Sequence, residues 1–171
     1  MSYSHGYPIR LIGGRLALDF VNTADWTPHE CVAHEKLNGF DDLEVWLREL
    51  GIEASWGGTF EELRRFRHDL RAMLLGAGNF DALHAVNELK LGSLEIAPFQ
   101  LEGLLAASTI SILADRREWN RLKRCPGENC GWLFIDETKN SRRTWCSMES
   151  CGNRAKAARH YQRKKLAAAR R

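Results

Sequence analysis

Little in this chain marks a catalyst. It contains no Gly-rich phosphate loop, no nucleophile elbow and no HExxH helix. His29, His34, His68 and His84 show no ligand spacing and read as surface or hydrogen-bonded core residues. No positive case for an enzyme emerges. The longest uncharged stretch, residues 103–114, is too short to cross a bilayer, so no membrane partner is expected. The first ten residues lack the apolar core of a signal peptide. A cytoplasmic protein with reduced thiols is the expectation, and disulfides are not. There are no internal repeats and no low-complexity segment. Neither close cysteine pair is C-x-x-C, which argues against a redox dithiol.

What is present divides the chain in two. The net charge of +3 conceals an acidic stretch, residues 1–115, with 9 Lys and Arg against 17 Asp and Glu. Residues 116–171 carry 16 Lys and Arg against 5 acids, a balance suited to a polyanion. With 171 residues, 44% of them hydrophobic, the chain can bury one substantial core plus a small satellite. The expected fold is mainly α, α+β overall. A helical N-terminal domain (1–119) precedes a small module (120–171) of β-hairpin plus basic C-terminal helix, treble-clef-like in outline.

Helical periodicity supports the first half. Leu43, Trp46, Leu47 and Leu50 share a face, with Gly51 as the stop. Thr59 and Glu62 form a capping box ahead of Leu63, Phe66, Leu70, Met73 and Leu74. A third helix is expected over 79–92, then a turn near Pro98 and one long apolar helix over 99–119. The stretch "GGRLALDFVNTADW" fits strand and helix alike. Within it, Asp19, Asn22 and Thr23 are polar residues beside an apolar run. They are candidates for ligand binding or for contact with the C-terminal module, or they cap and turn the chain.

Four of the five cysteines cluster: Cys125, Cys130, Cys146 and Cys151, spaced C-x4-C, fifteen residues, C-x4-C. Two close pairs joined by a hairpin-length insert bring four thiolates to the corners of a tetrahedron, the construction of a structural zinc site. Four protein ligands leave no position for a reactive water. An iron–sulfur cluster is the alternative, although these are not the common ferredoxin spacings. "CPGENCG" is expected to be a tight loop, "GWLFIDETKNSRRTW" a hairpin, and the second pair is expected at the start of the last helix. Cys31 reads as a small packed side chain.

From Asn153 onward the chain is a strong helix former. Lys156, Arg159, Arg163 and Arg170 fall on one stripe, which His160, Lys164 and Arg171 widen. The opposite face is small and apolar and is expected to lie against the protein. Such a helix suits a DNA groove. Arg142 and Arg143, on a presumed strand leading into Cys146, add charge. Arg154 lies off the stripe, with phosphate contact and hydrogen bonds to carbonyls of the cysteine loops both open. Trp132, Phe134 and Trp145 read as a mini-core, with base stacking as the alternative.

The block from "CGWLFID" through "RRTWCSMESCGNRAKAARHYQRKK" closely resembles the CGNR zinc-finger family, whose tetrapeptide is Cys151 to Arg154 here. "GGRLALDFVNTAD" resembles the opening of the ABATE-like domain that precedes this finger in bacterial proteins described as stress-induced transcription regulators. The resemblance implies structural zinc and DNA binding through the basic module. Two other readings stand beside it: an RNA-binding accessory protein, and a small-molecule-binding protein with zinc as a staple. A small-molecule effector and a homodimer are compatible with the sequence, but no motif marks either.

Overall fold

The computed structural model describes residues 10–76 and 100–168. The helix expected over 79–92, the turn at Pro98, His84, Arg170 and Arg171 lie outside the described residues.

The ambiguous opening stretch is helix and strand in turn. α1 (Leu16–Val21) buries Ala17, Leu18, Phe20 and Val21. The chain then enters β1 (Ala24–Trp26), which pairs antiparallel with β2 (Val32–Glu35) in the register Ala24↔Glu35 and Asp25↔His34. α2 (Phe40–Leu50) ends at Gly51, whose φ of 66° is the left-handed stop that glycine supplies most cheaply. α3 (Phe60–Leu74) begins with the expected capping box, Thr59 and Glu62 each bonding the other's backbone N–H.

The single long helix expected over 99–119 is two. α4 (Leu101–Ala114) stops at Asp115, which adopts extended backbone. The Asp115 carboxylate accepts from the N–H groups of Arg117 (2.7 Å) and Glu118 (3.3 Å), starting a new four-residue helix, α5 (Arg116–Trp119). Aspartate in that role outcompetes continuation of the apolar helix.

β3 (Leu122–Arg124) and β4 (Leu133–Ile135) form a second antiparallel pair, Leu122 facing Ile135 and Arg124 facing Leu133. "CPGENCG" is therefore the loop of this hairpin. The hairpin expected between the cysteine pairs does not form, and the strand expected to carry Arg142 and Arg143 is irregular chain. Its organiser is Asp136, fully buried, whose carboxylate accepts from Thr138 N (3.0 Å), Arg143 N (2.8 Å) and Lys123 Nζ (2.6 Å). Burial opposes the charge of Asp136, but the Lys123 ammonium and these donors hold its carboxyl well below the usual range. A side chain that collects four donors, the Thr138 hydroxyl being the fourth, folds the loop around itself and leaves no ladder to build. A π-helical turn (Met148–Gly152) then leads into α6 (Asn153–Ala168).

Two apolar clusters result. The larger joins α1, α2, α3 and α4 around Phe20, Trp46, Leu70 and Leu105. The smaller gathers the four cysteines with Trp132 and Phe134, with Ile12 and Trp145 packed against it. β4 serves both. Leu133 and Ile135 point into the larger cluster while Trp132 and Phe134 point into the smaller, the period-two alternation of a strand buried on both faces.

A tetrathiolate centre and the helix it anchors

The hairpin loop presents the first two thiols. Cys125 N donates to Trp132 O at 2.8 Å and Cys130 N to Gly127 O at 3.1 Å, so the loop curls over its own sulfur atoms. Cys146 ends the irregular segment and Cys151 lies in the π-helical turn. All four side chains are buried, and their sulfur atoms lie within 4.8 Å of one another. Cys146 Sγ is 3.6 Å from both Cys130 Sγ and Cys151 Sγ. A tetrahedron with Zn–S bonds of about 2.3 Å has edges of about 3.8 Å, so the donor set fits zinc. Thiols this crowded cannot all ionise together: the hydrogen bond with Cys125 heads the causes that raise Cys130 and Cys146 above the ordinary thiol range, while hydrogen bonds from the neighbouring thiols lower Cys125, to about 7, and Cys151. A divalent cation at the centre removes that opposition, since four thiolates then share one positive charge source.

The surroundings support the same ion. Arg154 donates through Nη2 to Cys151 Sγ at 3.1 Å, a charge-assisted bond that offsets the excess negative charge of a tetrathiolate. The acceptor expected for Arg154 within the cysteine loops was a carbonyl; the acceptor in the structure is the Cys151 sulfur. Arg143 turns inward as well. Its guanidinium lies 4.4 Å over the Phe134 ring, and it donates to the carbonyls of Trp145 (3.1 Å) and Cys146. Asn153 Nδ2 donates to Glu149 O, closing the π-helical turn. With four protein ligands and no free corner, the zinc is structural.

Residues 121–164 match the family model described as CGNR zinc finger. Residues 14–126, about two thirds of the chain, match the ABATE model, described as "Putative stress-induced transcription regulator". The chain belongs to the ABATE family. Comparison with curated proteins finds no match. The two matches overlap at residues 121–126, where β3 carries the ABATE domain into the first zinc ligand. Together they identify a zinc-binding protein of a regulator family.

The ABATE domain grips the finger through buried polar groups. Asn22, 1% exposed, donates from Nδ2 to Leu133 O (2.8 Å) and accepts at Oδ1 from Leu133 N (2.9 Å), so its amide acts as an extra strand partner for β4. Thr23 Oγ1 donates to Phe20 O and accepts from Arg67 Nη1 at 3.0 Å. Asp19 accepts from Gly13 N at 2.7 Å, while Ile135 N donates to Gly13 O at 3.1 Å. Burial pushes the Asp19 carboxyl up to about 6, with its backbone hydrogen bonds pulling the other way. All three residues are buried, and the hydrogen bonds of Asn22 run to the finger hairpin.

Other links were not visible in the sequence. Arg71, buried beneath Trp26 at 4.4 Å, donates to Gly131 O at 2.8 Å and pairs with Glu30 at 2.6 Å; Glu30 also pairs with Arg124 at 2.9 Å. Gly131 has a φ of 56°, and a Cβ there would lie 2.8 Å from Trp26 Cβ. The knuckle thus rests directly on β1, where Trp26 N donates to Cys130 O at 3.0 Å. Arginine in the middle of a helix reads as solvent-facing, and no local pattern reveals the burial of Arg67 and Arg71.

Two expectations are corrected. Cys31 is exposed, not packed. The apolar face of α6 does not lie on the protein: no described residue of α6 is buried, and Tyr161 and Leu166 are 72% and 63% exposed. Alanines offer too little area to hold a helix down against solvation of its charged neighbours, so only the root at the π-helical turn is fixed. Lys156, Arg159, His160, Arg163 and Lys164 are all exposed on α6, as is Arg142 on the preceding loop. Arg159 and Arg163 each reach back to a helix carbonyl, those of Ala155 (3.3 Å) and Arg159 (3.4 Å). Arg143 stands apart from this exposed set because its guanidinium is used within the module.

Proposed function

We propose that this protein is a non-catalytic transcription regulator that binds duplex DNA through α6, with zinc ordering the root of that helix. The observation that carries this reading is a cationic helix with no burial along its length, fixed at one end to a tetrathiolate centre. After Glu149 the sequence has no acidic residue, so nothing on the helix opposes a phosphate backbone. Sixteen residues span about 24 Å at 1.5 Å per residue, enough to lie along a major groove. Duplex is favoured over single-stranded RNA because Trp132 and Phe134, which could have stacked on splayed bases, are buried in the zinc cluster.

Binding of zinc-loaded protein to duplex fragments should weaken with salt by about 0.9 log units per log salt for each phosphate engaged. Arg159→Ala combined with Arg163→Ala should lower that slope by about 1–2 while leaving zinc content unchanged. Absence of salt-dependent binding to any duplex, genomic fragments included, overturns the reading. Recovery of RNA alone by crosslinking in cells does the same.

A further inference from the structure

A cleft of about 610 Å³ lies between the β1–β2 hairpin and the root of α6; Cys130, Cys146 and Cys151 also line it, so part of that volume is the zinc's own and the rest lies beside it. Its volume is that of a small-molecule site, commonly about 300–1,000 Å³. Asp25, His34 and Lys36 line it from the hairpin side, Arg154 and Ala158 from the helix. We propose that this cleft binds a small organic oxyanion, a carboxylate or a phosphate monoester. The proposal stands independently of nucleic-acid binding.

The argument is one of donors and acceptors. The acceptors of the cleft are largely committed. Asp25 Oδ1 accepts from Trp132 Nε1 at 2.7 Å, and its Oδ2 from Lys36 Nζ at 2.9 Å, with His34 Nδ1 at 3.7 Å. The thiolates of Cys130, Cys146 and Cys151 belong to the metal. Glu128, exposed at the rim, is the remaining carboxylate of the lining. Donors, by contrast, are in surplus. Arg154 uses one N–H on Cys151 Sγ, and a guanidinium carries five. Arg10, exposed at the mouth, makes no hydrogen bond or ion pair among the described residues. Two guanidinium forks at one cleft match the paired oxygens of a carboxylate or phosphate.

The remaining surface sets the rest of the ligand. Trp145, Ala155 and Ala158 are apolar and leave room for an organic body, which inorganic phosphate lacks. The Lys36 ammonium sits 5.5 Å from the centre of the Trp132 ring and occupies that aromatic face itself. A cation is therefore the wrong ligand. The bound oxyanion spans the ABATE hairpin and the first turns of α6, so it stiffens the joint between them.

The test uses the full-length zinc-loaded chain and isothermal titration calorimetry at constant ionic strength, with benzoate, phenyl phosphate and inorganic phosphate as probes. Benzoate or phenyl phosphate should bind saturably, the better of the two revealing the headgroup, and inorganic phosphate more weakly. Arg10→Ala should weaken that probe about tenfold or more, the loss expected for a charge-assisted contact. Ala158→Phe, placed on an exposed helix position and filling the cleft, should abolish binding; elemental analysis confirms that both variants retain zinc. If neither organic probe saturates, or if both variants titrate like the wild type, the proposal is wrong. It is equally overturned if the cleft-filling variant loses only duplex binding and neither small probe gives heat, since the cleft would then hold a nucleic-acid phosphate.

Discussion

Replacing Asn22 by alanine should loosen the finger from its partner domain without touching a zinc ligand. The Asn22 amide makes two hydrogen bonds, 2.8 and 2.9 Å long, to both polar groups of one residue, Leu133. Leu133 is 1% exposed, so water does not replace the lost partner. Leaving a buried N–H and a buried C=O unmatched costs about 1–3 kcal/mol each, so the expected loss is about 2–6 kcal/mol. Urea unfolding followed by tryptophan fluorescence, at fixed free zinc, measures it. A chromophoric chelator should also extract zinc faster from the variant, because β4 carries Cys130 at its entry. Asn22→Asp is the control: it preserves the acceptor for Leu133 N but sets a carboxylate against Leu133 O, and it should cost at least as much. A loss below about 1 kcal/mol with an unchanged urea slope would refute the reasoning, because it would mean that Leu133 is not held by this amide.

Asp19→Asn should alter the dependence of stability on pH. With the folded carboxyl at about 6 and the unfolded one near 3.8, folded protein binds the extra proton between those values, so wild-type stability falls as pH rises through that window. Asn keeps the acceptor for Gly13 N but turns an amide N–H group toward the Ile12 donor, so the variant should gain at most about 2–3 kcal/mol over wild type above pH about 6 and nothing below about 4; equal urea midpoints for the two proteins at pH 7.5 would count against it. Cys146→Ser should release the metal and unfold the residues around it, and stoichiometric zinc in the purified variant contradicts that. Gly131→Ala forces a Cβ within 2.8 Å of Trp26 Cβ at a left-handed φ, and should lower stability by about 1–3 kcal/mol in the same urea assay.

The metal centre was legible because its chemistry demands one residue type at fixed separations, and Cys125, Cys130, Cys146 and Cys151 satisfy that demand within a short span. The capping box at Thr59 and the stop at Gly51 were legible for a similar reason: each is a local bargain between neighbouring side chain and backbone. What escaped was settled over long range. Nothing near Asn22 says that its partner is Leu133, and nothing near Arg71 says that it supports Gly131. The misplaced hairpin has the same origin. "RRTW" looks like strand, but buried Asp136 draws the loop around its carboxylate, and that burial depends on Lys123 across the sheet. The free face of α6 was misjudged because amphipathicity shows which side of a helix is apolar, not whether any surface awaits it.

β4 has one further consequence. Zinc fingers are commonly imagined as beads that can be cut from one string and threaded on another. Here the third side of the finger is furniture of its neighbour's interior: excision at the 119/120 boundary would strip Leu133 and Ile135 of their packing and leave the knuckle without the tryptophan on which it rests. A graft of the C-terminal part onto another chain must therefore carry the sockets on α1, β1 and α3 along with it.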